Sequence, residues 1–464
     1  MLRNRYDRTD LFALVPRLGL RFEPQLERLD RLLDDDEIVD RIRDDMARRS
    51  PRSRSRGRPS TPVEVVLRML VVMRLYGWSY EQAEYFVNDS LVLRQFCRVY
   101  LERVPDDTTL IRWANTIGPE ALQALNDRVV QLARSLKVTR GRKLRVDTTA
   151  VETNIHFPTD SGLVGDGVRV VSRLLRRAKV ALGEAAAGLK EAFRSRVRTV
   201  RKLSQQLHRI ARRKGDQGRA ALKAAYDRLV AAAKRTGAQG RRVLKALRGQ
   251  EDNPAARRLA GRLDEVLPRL KRAVGQAERR VLKDAPVPSA EKLVSVFEPH
   301  TQVIPRFKAG KPAEFGRKLR LDEVEGGLVV GYRVLEKGGG QDQPHLGDAL
   351  SNHRRQFGRA PRLLAADRGM ASAENQRLAE EAGVKHVALP HVGKAPPERR
   401  AEERGRRFRE AYRFRAGIEG RIHALKRDYG LRRCRYQGER GFGRWIGWGV
   451  LAHNLARVAG AAGR

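Results

Sequence analysis

Apolar residues recur every three to four positions over most of the first 140 residues, which predicts an all-helical region. The clearest case is TPVEVVLRMLVVMRLYGWSYEQAEYFVNDSLVLRQFCRVY, residues 61–100, with Gly77 as a stop and Ser79 as the N-cap of the next helix. VPDDTTLIRWANTIG, 104–118, starts another short helix, for which Asp107 or Thr108 is the expected cap. Residues 1–50 read as helical with mixed charge, and PRSRSRGRPS, 51–60, reads as a linker. Short helices with tight turns over about 57–118 fit a helix-turn-helix-like module or an ordinary bundle equally well.

The period then changes. KLRVDTTAVETNI, 143–155, alternates and is rich in β-branched residues, so it predicts a strand. Strand character returns at 292–300, 317–324 and 327–335, with Gly326-Gly327 as a hairpin turn between the last two. A helix follows near HLGDALSNHRRQFG. PRLLAADRGM, 361–370, is then an apolar strand ending on Asp367. SAENQRLAEEAG is a helix stopped by Gly383, and KHVALP, 385–390, is another strand. A very basic stretch, 393–409, leads into YRFRAGIEGRIHALK, and GRWIGWGVLAHNLARVAG is an apolar terminal helix. Between about 168 and 285 the chain is rich in Ala, Leu, Lys and Arg at helical spacing, interrupted at GDQG and EDNP, which predicts a helical insertion. With that insertion set aside, the fold class is α/β, a mixed sheet flanked by helices in the order of the ribonuclease H-like fold.

Charge narrows the partner. The 464 residues hold 96 Lys+Arg against 55 Asp+Glu, a formal net charge of +41, and 41% are hydrophobic. Real cores are therefore expected, and the excess charge calls for a polyanion, nucleic acid before an anionic membrane surface. No apolar run is long enough for a transmembrane helix, and the N-terminus lacks a signal-peptide core. Two cysteines, Cys97 and Cys434, supply neither a disulfide framework nor a zinc site and suit a reducing cytosol. The insertion's charge reads as a solvated face or as a DNA-contacting arm.

Glu419 is the one acid in the basic stretch YRFRAGIEGRIHALK. At 100° per residue, Tyr412, Arg415, Glu419 and Lys426 fall within roughly a 60° arc. Phe414, Ile418, Ile422 and Leu425 occupy the neighbouring arc and can pack on the sheet. Asp147 near the end of the first strand and Asp367 at the end of a later one fall where α/β sheets gather their ligands. Three carboxylates of this kind can hold a pair of Mg²⁺ ions for phosphoryl transfer, although an Asp after a strand is often a cap and a helix Glu often a surface ion pair. His156 and Asp160 in HFPTD read as a structural loop, His453-Asn454 as a packing pair, and Trp445 and Trp448 as core. Arg112 and Trp113 lie on the candidate recognition helix, where Arg112 can meet phosphate or a guanine edge.

Tyr412-x2-Arg415-x3-Glu419-x6-Lys426 resembles the Y-R-E-K signature of DDE transposases of bacterial insertion sequences. VDTTAVETNIHFPTDSGLVGDGVR and ADRGM resemble the first and second Asp regions of that group, and 57–118 resembles its N-terminal DNA-binding region. EFGRKL and GERGFGRW…LAHNLAR add to the likeness, which leaves out the first fifty residues and the insertion. The resemblance implies a ribonuclease H-like catalytic domain at 141–167 and 290–464, a helical DNA-binding region at 1–140 and an insertion at 168–289. It implies Asp147, Asp367 and Glu419 as the metal-binding triad, with Mg²⁺ as cofactor, two ions for which Mn²⁺ can substitute. It also implies that Tyr412, Arg415 and Lys426 contact DNA. Terminal inverted repeats and target DNA are the implied partners, with a homodimer in the synaptic complex, no membrane, and a cytoplasmic, nucleoid-associated location. Two alternatives share these residues: an inactive transposase-derived DNA-binding protein, and a nuclease of the same fold that cuts without joining.

Overall fold

The computed structural model describes residues 1–48, 51–213, 215–308, 311–336 and 342–461. Its strands are β1 (Lys143–Glu152), β2 (Gln302–Lys308), β3 (Lys311–Val324), β4 (Leu328–Val334), β5 (Leu363–Ala366) and β6 (His386–Ala388). The chain forms two compact units, 1–154 with 318–464, and 155–317. No helix among the described residues is long and apolar enough to cross a membrane.

The first unit holds the mixed sheet that the sequence predicts. Its order is β3-β1-β5-β6, with β4 also paired to β3. β1, β5 and β6 run parallel to one another, and β3 and β4 are antiparallel. Gly326 and Gly327 turn the β3–β4 hairpin at φ +86° and +79°, backbone that glycine adopts at little cost.

Alternation along the strands divides the sheet into two working faces. Leu144 and Val146 of β1, Val324 of β3 and Leu364 and Ala366 of β5 join a large core with the N-terminal helices. On the other face, Leu319 and Leu321 pack with Leu425, Phe442 and Trp445, and Ala365 and Ala388 pack with Ala411. That face carries the helix Arg406–Asp428, whose Ala411, Ile418 and Leu425 are buried at seven-residue spacing. Small Ala side chains on β5 and β6 let this helix lie close to the sheet. Asp147 and Asp367 follow the same parity as Arg145 and Ala365, so the fold directs both aspartates toward that helix.

The N-terminal helices include Pro24–Leu33, Asp36–Ala47, Val63–Leu75, Tyr80–Asp89, Asp107–Thr116 and Pro119–Ser135. Ser79 caps its helix within a capping box closed by Gln82. The cap of Asp107–Thr116 is Asp106, whose carboxylate accepts from Thr109 N and the Thr108 hydroxyl. The expectation of Asp107 or Thr108 is therefore off by one or two positions. Adjacent acids compete for the cap, and Asp106 is the one left in extended backbone at φ −67°, ψ 161°.

The second unit is mainly helical. Asp160–Leu182, Val197–Ile210, Asp216–Arg248 and Pro254–Ala277 share one apolar core. GDQG and EDNP both mark helix starts: Gly215 precedes one, and the Asn253 side chain caps the other. Residues 292–300, expected as a strand, form none. Leu293 and Val296 pack into the helical core, and their backbone groups bond to side chains instead of a neighbouring strand. Gln276 binds both N–H and C=O of Leu293, Arg269 donates to Val296 O, and the Ser295 hydroxyl accepts from Phe297 N and Glu298 N. Strand structure begins at β2, which pairs antiparallel with the first half of β3.

Candidate active site

The register of β1 and β5 sets two carboxylates side by side. Val146 pairs with Ala366, so the next residues, Asp147 and Asp367, sit side by side; Asp367 follows the carboxyl end of β5, whereas Asp147, expected near the end of its strand, lies in the middle of β1, which runs on to Glu152. The Arg406–Asp428 helix lies over this point and contributes Arg415 and Glu419, one turn apart.

Arg415 ties the three acids together. Its Nη2 is 3.0 Å from Asp147 Oδ2 and 3.2 Å from Asp367 Oδ1, and its Nη1 is 3.0 Å from Glu419 Oε1. The Asp147 side chain is 9% exposed, against 47% for Asp367 and 67% for Glu419. Asp147 thus forms the dry floor of the site, and the other two open to solvent. Burial pushes the Asp147 carboxyl up to about 6; Arg415 and the Thr148 N–H oppose the rise, and Asp367 and Glu419 add to it. Tyr412 flanks the guanidinium, its ring centroid 5.8 Å from Arg415 Cζ. Lys426 is half-buried on the same helix, about 10 Å farther along its axis than Glu419. Arg112 is exposed on Asp107–Thr116 and is not part of this cluster.

A second layer fixes the helix to the sheet, and sequence reasoning missed it. Glu323 of β3 is fully buried and accepts from Arg145 Nη2 at 2.6 Å, Arg145 Nε at 2.9 Å and Arg421 Nε at 3.2 Å. Arg145 also donates to the carbonyl of Phe414, one residue before Arg415, and lies 4.6 Å over the Phe414 ring. A Cβ on Gly417 would meet the Arg145 guanidinium, so the missing side chain leaves room for this approach. Arg421 donates to His453 Nε2 at 3.1 Å, while His453 Nδ1 meets Asn454. Burial drives the His453 pKa down to about 3, so the ring is neutral and structural. Asp342 is the other missed group: Oδ2 accepts from the Thr148 hydroxyl at 3.1 Å, and Lys318 Nζ is 3.3 Å from Oδ1. An alternating strand with an Asp beside Thr148 gave no signal for a partner 194 residues away.

Among the described residues no three His, Cys, Asp or Glu side chains stand close enough to hold a metal ion directly. The donor chemistry nevertheless suits a hard divalent cation. Three carboxylates from two adjacent strands and one helix already surround a single positive group, the Arg415 guanidinium.

Residues 293–455 match the family model described as Transposase DDE domain, and residues 20–116 match Transposase domain (DUF772). The chain carries two transposase domains. The DDE match takes in Asp367 and the whole Arg406–Asp428 helix, whereas Asp147 lies in the stretch 117–292 that neither model covers. The N-terminal transposase match begins at residue 20 and so includes Pro24–Leu33 and Asp36–Ala47. The likeness therefore reaches farther toward the N-terminus than the motif comparison placed it. No curated protein and no solved structure matches the chain.

Proposed function

We propose that the chain is the DNA transposase of an insertion sequence, which binds the terminal inverted repeats of its element and cuts and joins DNA. In this reading Asp147, Asp367 and Glu419 are the catalytic cation ligands of a ribonuclease H-like domain. One observation carries it: three carboxylates from two adjacent parallel strands and one helix converge on a single cationic group, in a chain with two transposase domains. Mg²⁺, with Mn²⁺ as a substitute, suits these oxygen donors and when bound supplies an activated water and a polarised phosphate.

The chain's own residues divide the remaining work. Asp147, fixed by the Thr148 N–H at 2.7 Å, holds one side of the cation site from the sheet, and Glu419 the other from the helix. Arg415 offsets the three negative charges as the donor that its two Nη groups present to them. Tyr412 borders that donor, and Lys426 extends the basic row along the DNA backbone. Arg112 lies on an exposed helix of the N-terminal DNA-binding region, where it contacts phosphate or a guanine edge. The active assembly is a homodimer on paired ends in the nucleoid.

Glu419→Gln tests the reading. It removes a ligand from an exposed helix face and preserves shape, so end cleavage should fall by on the order of 10²-fold or more while binding to the inverted repeat stays within about twofold. Equal losses of binding and cleavage would remove Glu419 from the catalytic role. Lys426→Ala should weaken DNA binding and reduce the slope of log K against log salt by about one. An unchanged slope would mean that Lys426 does not touch phosphate.

The pH dependence has a definite sign. Asp147 keeps its proton up to about 6, and a protonated carboxyl is a poor cation ligand. Calorimetric titration with Mn²⁺ should therefore give about tenfold weaker binding at pH 5 than at pH 7.5. Equal affinities at the two values would show that Asp147 is not a ligand.

A further inference from the structure

The second unit, residues 155–317, holds 38 Lys and Arg against 15 Asp and Glu, a net +23 out of the chain's +41. Its charge is concentrated. From Ala192 to Gly215 there are nine basic residues and no acid. The helix Val197–Ile210 runs through this stretch and buries Val200, Leu203, Leu207 and Ile210 on one side. At 100° per residue, Arg198, Arg201, Lys202 and Arg209 fall within roughly a 100° arc on the opposite side, with Gln205 between them. All four are exposed, and among the described residues none of them forms an ion pair. By contrast, elsewhere in this unit Lys223, Lys234, Arg248 and Arg280 each pair with an acid.

The placement works against the helix itself. Three of these cations lie in its first two turns, beside the positive end of the helix dipole, with no acid in the first turn to compensate. Arg194 and Arg196 lie just before it, and Arg196 meets the like charges of Arg235 and Arg194, which outweigh the one acid near it, Glu191. Arg196 Nη1 is held by Gln239 Oε1 at 2.6 Å, a neutral partner that orders the guanidinium without cancelling its charge. A face that only needed solubility would gain from mixed signs; an exposed face of one sign, without ion pairs, favours a polyanion.

We propose that this face of the Val197–Ile210 helix binds the sugar-phosphate backbone of duplex DNA, so that the insertion is a second DNA contact of the protein. The inference rests on the transposase reading for the choice of duplex DNA over other polyanions. At about 1.5 Å per residue the helix is about 21 Å long, enough to pass several phosphates of one duplex.

The test is fluorescence anisotropy of the full chain on an inverted-repeat duplex and on a scrambled duplex, over a salt series. The variant combines Arg198→Gln, Arg201→Gln, Lys202→Gln and Arg209→Gln; its control carries Lys in place of each Arg. The Gln variant should lose about 3 to 4 from the salt slope on both duplexes, and the Lys control should keep the wild-type slope within about one. An unchanged slope in the Gln variant, with wild type bound to DNA, overturns this inference and leaves the transposase reading intact. Wild type failing to bind either duplex overturns that reading and this inference with it. Loss of binding to phosphatidylserine vesicles with no change on DNA would assign the face to a membrane surface and overturn the proposal.

Discussion

Asp147→Asn should stop nicking at the element ends, lowering the single-turnover rate by on the order of 10³-fold. Of the three acids Asp147 is the buried one, and its Oδ2 is 3.0 Å from the positive group that all three share. Asn keeps the size and can still accept from the Thr148 N–H, so the strand should not move. What it loses is the charge that attracts a cation in a dry place, where each charge counts most. Burial that now raises the Asp147 pKa would cost a neutral amide little, so the variant should be as stable as the wild type or more so. Primer-extension mapping of nicks in flanking DNA, beside a thermal melt, checks both halves. Nicking within tenfold of wild type would remove Asp147 from the site.

Glu323→Ala should be the most destabilising single change near the site, at about 3–5 kcal/mol. Glu323 is fully buried between Arg145 and Arg421, and its removal leaves two guanidinium groups facing each other without a counter-charge. These two arginines also hold the Arg406–Asp428 helix: one donates to Phe414 O and the other to His453. Loss of Glu323 should therefore loosen the helix that carries Arg415 and Glu419. Urea unfolding should show the midpoint shift, and Glu323→Gln, which keeps an acceptor, should cost less. A change below about 1 kcal/mol for Glu323→Ala would mean that water replaces the pair freely.

What the sequence disclosed follows from local physics. The 2-residue period of β1, the Gly326-Gly327 turn, the Ser79 cap and the ends of β5 and its following Asp367 all depend on neighbours in the chain. The 3.6-residue period of the Arg406–Asp428 helix likewise separated its packing side from its polar side. Residues 292–300 misled because alternating apolar side chains say nothing about which groups satisfy the backbone; here Gln276, Arg269 and Ser295 do so. The Arg145–Glu323 pair spans 178 residues and the Thr148–Asp342 bond 194, and no periodicity encodes contacts of that range. Arg415 was legible as a basic residue near an acid. That it joins all three carboxylates depends on the β1–β5 register, which only the fold supplies.

The central claim is that these three carboxylates cut DNA. The most direct measurement incubates the wild-type chain with end-labelled duplex containing an element end and its flank, with Mg²⁺ or with EDTA. The expected product is a Mg²⁺-dependent nick at the element boundary that leaves a 3′-hydroxyl extendable by a polymerase. Tight binding to the same duplex with no nick in Mg²⁺ or Mn²⁺ would contradict it, and would make the protein a DNA-binding relic that keeps the site without its chemistry.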